Sequence, residues 1–255
     1  MKRPVIIIGI GEIGGVFARG LLRTGHPVYP VTRAMRAYEV AVAVPEPDLV
    51  LVATAENDLH PTLADLPEVW RDRVGLLQNE LLPRDWERHE LRNPTVISVW
   101  FEKKPGSDPK PIVASPVFGP HAELLSQALA ALQLPSRILA DEQQLLHELA
   151  LKNLYILTTN IAGLVTQGSV GDLWLRHQEL ARSVADEVMD IQAALTGAAL
   201  DRQALLDGML EAFRGDPEHR CMGRSAPARL ERALQLADAA GLAVPRLREI
   251  HSRQT

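Results

Sequence analysis

The sequence predicts an α/β chain in two parts: a doubly wound, largely parallel sheet up to about residue 140, then an all-α remainder. Three observations predict it. Residues 5–8, Val-Ile-Ile-Ile, run straight into Gly9-Ile10-Gly11-Glu12-Ile13-Gly14 and then into a helical pattern. The continuous apolar run at 49–53 reads as a parallel strand covered on both faces. After residue 139 the strand-like patterns stop, and only helical spacing continues.

Composition narrows the classes. The chain has 255 residues, enough for one large domain or two modest ones. With 46% hydrophobic and 23% charged residues it is globular in character. A net charge of −5 announces no basic face for nucleic acid. The single cysteine, Cys221, excludes an intrachain disulfide framework and suits a reducing cytosol, so a cytoplasmic location is expected. Met1-Lys2-Arg3-Pro4 leads at once into the first strand, so no signal peptide is expected. No apolar run approaches a membrane span. The histidines are scattered, with no His-x-x-x-His pair, and no metal site is expected.

The first strand and its loop have the order of a Rossmann-type dinucleotide-binding unit. Gly9 allows the tight turn out of the strand, Gly11 lets a pyrophosphate approach the backbone, and Gly14 lets helix and strand pack closely. Ile10, Glu12 and Ile13 complete the loop, and the first helical N–H groups face the phosphates. The helix covers 12–23 and stops at Thr24-Gly25-His26-Pro27. The second strand covers 28–31. Beyond it stand Thr32, Arg33 and Arg36, where an acid for the ribose 2′-hydroxyl would be usual. A hydroxyl and two guanidinium groups suit a 2′-phosphate, though Arg33 and Arg36 also read as solvated loop charges, and NADP is the expected cofactor.

Residues 38–44 alternate weakly and read as a small extra strand. A strand at 48–54 is followed by a helix over 59–69, a strand at 74–78 ending at Asn79-Glu80, and a helical segment around 83–91. Strands at 95–102 and 111–117 flank the turn cluster Pro105-Gly106-Ser107-Asp108-Pro109, a hairpin adding antiparallel strands to the sheet edge. A helix over 121–134 and a short strand at 136–139 close this part. Helices are then expected at 141–165, 172–195, 201–213 and 227–240, with a tail helix after Pro245. The boundary is placed at 140/141, giving a nucleotide domain over 1–140 and a helical domain over 141–255, with the active site expected in the cleft between them.

Three segments resemble the ketopantoate reductase family, the 2-dehydropantoate 2-reductases. They are the Gly9–Gly14 loop with basic residues after the second strand, Leu76-Leu77-Gln78-Asn79 at a strand end, and Leu151-Lys152-Asn153-Leu154 through Asn160 followed by Gly171-Asp172-Leu173. Gly241-Leu242-Ala243-Val244-Pro245 resembles a stretch of the family's last helical region. The matches extend over nearly the whole chain, and the architecture is the family's. The resemblance implies an NADPH-dependent reductase of a 2-keto acid, usually ketopantoate, with a helical domain for substrate and dimerisation.

The departures are specific. Glu80 follows Asn79 where the family has glycine, and Ala53-Thr54-Ala55-Glu56 lacks the family's lysine. Ile156 replaces an asparagine one turn after the catalytic lysine. The position of the family's substrate-binding Glu falls on Ser225 or Pro227, neither acidic.

Reduction of a ketone puts negative charge on its oxygen, and a nearby cation or acid stabilises that charge and supplies the proton. The family match assigns this to Lys152, whose helix carries the apolar stripe Leu146, Ala150, Leu154, Leu157, Ile161 and Leu164 on another face. Helix pattern alone also permits an ordinary surface pair of Lys152 with Glu148, four residues earlier. Asn160 and Gly163 share roughly one face with Lys152, and Asn160 is expected to bind substrate. Asn79 ends a strand on the ligand-binding edge of the sheet, where its amide can align cofactor or substrate, or simply form a turn. Arg224 is a candidate for a substrate carboxylate, with Ser225 beside it. Cys221 reads as inert.

The reading is therefore an NADPH-dependent oxidoreductase acting on CH–OH, with Lys152 as general acid and Asn79 beside it. Ketopantoate itself should be a poor substrate, because nothing acidic stands at Ser225 or Pro227. Two alternatives remain: an inactive NADP-binding sensor or scaffold, and a related imine or β-hydroxy-acid oxidoreductase. The oligomeric state stays open, a homodimer included.

Overall fold

The computed structural model describes residues 2–254. The chain divides into two compact units, one up to Glu148 and one from Leu149. In the first unit the strands are β1 (Val5–Ile8), β2 (Val28–Val31), β3 (Leu49–Val52), β4 (Val74–Leu76), β5 (Thr95–Ile97), β6 (Phe101–Glu102), β7 (Lys110–Pro111), β8 (Ser115–Phe118) and β9 (Ser136–Ile138). Seven of them form one sheet in the order β2-β1-β3-β4-β5-β8-β9. The first five run parallel, β8 is antiparallel to β5, and β9 is parallel to β8. The helices of this unit are α1 (Glu12–Arg23), α2 (Ala37–Ala43), α3 (Leu59–Ala64), α4 (Pro83–Glu87) and α5 (Ala122–Ala130).

The apolar runs are explained by burial on both sides. Val5, Ile7, Leu49 and Leu51 pack with Phe17 and Leu21 of α1 and Leu125 and Leu129 of α5. Ile6, Val50 and Val52 point to the other face and are equally buried. There, the 3-10 segment Glu68–Arg73 packs against β3, and the Trp70 indole donates to the Val44 carbonyl at 2.9 Å.

Several expectations change here. Most of the stretch 38–44 lies in the helix α2, not a strand: Tyr38 and Val42 are exposed, and Ala41 within the helix and Val44 at its end are buried, so their alternation never meets a partner strand. The helix expected over 59–69 ends at Ala64, because Pro67 takes extended backbone before the 3-10 segment. The strand expected over 95–102 breaks after Ile97. The hairpin becomes a separate two-stranded ribbon, β6–β7, and β9 rather than the hairpin lies beyond β8. Pro111 lacks an N–H, which keeps β7 short.

The second unit is helical. α6 (Glu142–Thr166) enters it from the first unit, followed by α7 (Val170–Arg176), α8 (Gln178–Thr196), α9 (Arg202–Gly215), α10 (Ala226–Ala239) and α11 (Pro245–Ser252). Among the described residues its β structure is a single bridge, Ser169 to Arg220. The helix expected over 172–195 is two helices, since the Ser169 side chain caps α7 through the Asp172 N–H and the chain turns at His177. Asp201 caps α9 in the same way. Glu187 of α8 accepts from the N–H groups of Arg246 and Leu247 at 2.7 and 2.9 Å, fixing the start of α11. No helix among the described residues is long and apolar enough to cross a membrane.

Helix α1 approaches α5 through Gly20, where an added Cβ would lie 2.2 Å from the Ala128 carbonyl oxygen. Gly20→Ala should therefore destabilise the protein by about 2–3 kcal/mol, since a backbone atom cannot move aside as a side chain would. Gly15→Ala, on the same helix with nothing within 4 Å, should be neutral or stabilising. Urea unfolding of the two variants checks the contrast.

Candidate functional site

The site in the first unit is built from backbone. Gly9 leaves β1 with φ +94°, and a Cβ there would meet the Ala53 carbonyl oxygen at 2.8 Å. A Cβ on Gly14 would lie 2.2 Å from the Gly9 carbonyl oxygen. Gly11, which precedes the first turn of α1, has nothing within 4 Å of its Cβ position and no side-chain cap. The arrangement leaves first-turn N–H groups without intrahelical partners beneath open space.

A cleft of about 730 Å³ opens over this loop. Its walls include Gly9, Ile10 and Gly11, Thr32 and Arg33 from the end of β2, and Thr54 and Asp58 from the segment after β3. Gln78 holds that segment. Its buried amide donates to the Val52 carbonyl at 2.8 Å and to the Thr54 carbonyl at 3.3 Å. The Asn79 amide donates to Glu56 at 3.1 Å. The Thr54 hydroxyl oxygen is buried and has no hydrogen-bond partner among the described residues. An orphaned hydroxyl, an open glycine and uncapped N–H groups in one cleft fit a dinucleotide that presents phosphate and hydroxyl oxygens.

Arg33 is exposed and pairs with Asp58 at 3.1 Å. Arg36 is exposed at the start of α2 and does not contribute to the cleft wall. Glu12, at the first position of α1, pairs with Lys103 at 2.6 Å. Ile10, Gly11, Glu12 and Lys103 line a smaller recess of about 270 Å³ beside the loop. Ile13 packs half-buried against the core cluster of the sheet.

In the second unit α6 is buried almost throughout from Leu149 to Gly163. Lys152 is therefore buried, and its ammonium stands over the Tyr155 ring, 5.7 Å from the centroid. Glu148, one turn earlier on α6, accepts from Arg137. Burial, then the Arg229 guanidinium, lowers the Lys152 pKa to about 7. Asn160 links the elements: its Oδ1 accepts from Arg229 at 3.2 Å and from the Gly223 N–H at 3.4 Å, while its Nδ2 donates to the Ile156 carbonyl. Arg224 and Ser225 are exposed at the start of α10. Cys221 is buried, and burial, with Asp172, pushes its thiol up to about 11, as befits an unreactive cysteine.

The sequence reading missed Arg229, Asp58, Thr54 and Lys103. Arg229 had a signal: it interrupts the stripe Ala226, Leu230, Ala233, Leu234 and Ala237 on the buried face of α10. The other three are brought to the glycine loop by strand order and by the β6–β7 ribbon.

No family model matches the chain, and no curated protein matches it. Solved structures do. The 2-dehydropantoate 2-reductase from Methylococcus capsulatus is 14% identical, with a TM-score of 0.70 over 98% of this chain and 95% of that one. A dimeric ketopantoate reductase from Staphylococcus aureus is 18% identical, with a TM-score of 0.67 over 98% and 96%. D-mandelate dehydrogenase in its ternary structure with NADH and anilino(oxo)acetate is 14% identical, with a TM-score of 0.67 over 97% and 96%. A parallel sheet with its glycine loop, followed by helices, thus gives this chain the fold of the ketopantoate reductases.

Proposed function

We propose that the protein is an NADPH-dependent reductase of a small 2-keto acid. One observation carries the reading: Lys152 is buried, with its pKa lowered to about 7. A proton donor poised near neutrality suits carbonyl reduction, where the oxygen gains charge as the reaction proceeds. The shared fold supports the same substrate class, since the similar proteins are named for keto and hydroxy acids. A binding-only role is less well supported, because a lysine buried until its pKa falls to about 7 suits proton transfer and has no evident use in a scaffold.

The nucleotide falls to residues 1–140 and the substrate to residues 141–255, which also supply the surface for a homodimer. Gly9 to Gly14, with the first turn of α1, would hold the pyrophosphate. Thr32 and Arg33 would hold the 2′-phosphate, and Asn79 with Thr54 would align the nicotinamide ribose. When bound, the reduced nicotinamide supplies a hydride to the substrate carbonyl carbon. Lys152 donates a proton to the carbonyl oxygen. Arg229, oriented by Asn160, holds the substrate carboxylate. Being buried and fixed, it suits that task better than the exposed Arg224 with its neighbour Ser225. With no carboxylate at Ser225 or Pro227 to accept a substrate hydroxyl, ketopantoate is a weaker substrate than a smaller 2-keto acid.

NADPH should bind more tightly than NADH, and Arg33→Asp should erode the difference, because it removes a phosphate ligand and adds repulsion. Fluorescence titration of both nucleotides decides this, and equal affinities in the native protein would refute it.

Lys152→Met should lower turnover by on the order of 10²–10³ while leaving NADPH affinity nearly unchanged. The same variant should be more stable at pH 7. An unfolded lysine keeps its ordinary pKa of 10.5, against about 7 in the fold. Between those values the unfolded state binds more protons, so native stability rises with pH across the window and the burden is full below it. The stability gain of Lys152→Met over the native protein should therefore shrink as pH rises from 7 toward 10.5.

For reduction, kcat/KM should fall as pH rises through about 7, where Lys152 loses its proton. Arg229→Gln should move that fall to higher pH by removing the repulsion, and should raise KM for the 2-keto acid about 10–100-fold. A KM increase without the pH displacement would separate Arg229 from Lys152.

A further inference from the structure

We infer that Asp58 sets how strongly the cleft prefers a 2′-phosphorylated dinucleotide, by competing with that phosphate for Arg33. The inference deepens the cofactor reading above and rests on it. The end of β2 carries Thr32 and Arg33 and no acid that would accept hydrogen bonds from an unphosphorylated ribose. The fold brings an acid there from elsewhere. Asp58, in the turn before α3, lines the same cleft as Thr32 and Arg33, and its Oδ2 accepts from the Arg33 guanidinium at 3.1 Å. A second carboxylate, Asp65, lines the cleft as well.

The pair is open to solvent, with side-chain exposures of 93% for Arg33 and 46% for Asp58. Such a pair holds its partners weakly, so Arg33 can exchange one anion for another. A 2′-phosphate has the greater charge and the geometry for a two-pronged guanidinium contact. When it takes Arg33, Asp58 loses its counter-charge and faces the phosphate as a like charge. A plain ribose makes no such demand: its hydroxyls donate to the Asp58 carboxylate and leave the pair intact. Asp58 therefore weakens the phosphorylated nucleotide and favours the unphosphorylated one, and the native preference is narrow.

Asp58→Asn tests this. Asp58 precedes α3 without a side-chain cap, and Thr62 bonds its backbone carbonyl, so the substitution leaves the helix start in place. NADPH and NADH are titrated against the native protein, Asp58→Asn and Asp58→Ser, each first checked for folding by circular dichroism. NADPH should bind about tenfold more tightly to Asp58→Asn and NADH a few-fold more weakly, widening the preference by more than about tenfold. Asp58→Ser carries the same expectation, so a poorly folding Asn variant leaves the test intact. An unchanged NADPH-to-NADH ratio in folded variants that still bind both overturns the inference and spares the cofactor reading. Binding of neither nucleotide by the native protein overturns the cofactor reading itself.

Discussion

The sheet unit depends on one steric constraint, the passage of α1 across the strand ends at backbone distance. A methyl group on Gly14 would overlap the Gly9 carbonyl oxygen, and one on Gly9 would overlap that of Ala53. The helix thus lies closer to β1 and β3 than any side chain would permit. Farther along, Gly20 brings it equally close to α5. A helix wedged at both ends has little freedom of direction, and its first turn is aimed by the packing rather than by a cap. The open space over Gly11 follows from that aim.

The helical unit is organised by the opposite circumstance, charge taken out of water. Glu148 and Lys152 stand one turn apart on α6, in the order that favours an exposed pair. In the fold Glu148 bonds Arg137, while Lys152 is buried, and that burial, then Arg229, lowers its pKa. Asn160 secures the guanidinium. Departures of this kind from the lowest-cost arrangement are characteristic of functional sites, where reactivity is kept at the expense of stability.

Features fixed by local sterics were legible in the sequence. Gly9, Gly11 and Gly14 declare their loop because each answers a constraint set within a few residues. β1 and β3 declare themselves because burial on both faces removes every polar residue from them. Residues 38–44 misled because alternation cannot say whether a partner strand lies alongside. The pairing of Arg33 with Asp58 was hidden, since the sheet order alone brings the ends of β2 and β3 to one cleft. Lys152 was legible as a motif and illegible as a microenvironment, because its pKa is set by burial and by a residue on another helix.

The buried Gln78 extends the sheet beyond its last backbone pair. The ladder of β3 and β4 ends at Val52 and Leu76, and the Gln78 amide then takes the place of a strand by bonding the Val52 and Thr54 carbonyls. Asn79 ties the same segment again at Glu56. The segment from Ala53 to Glu56 is a loop fastened to the sheet edge like a strand. Its amide protons should exchange with solvent in the same opening events as the sheet core, not in the faster local fluctuations usual for surface turns. A cleft wall that shares the cooperativity of the core is already ordered before anything binds, so association forfeits little conformational entropy there.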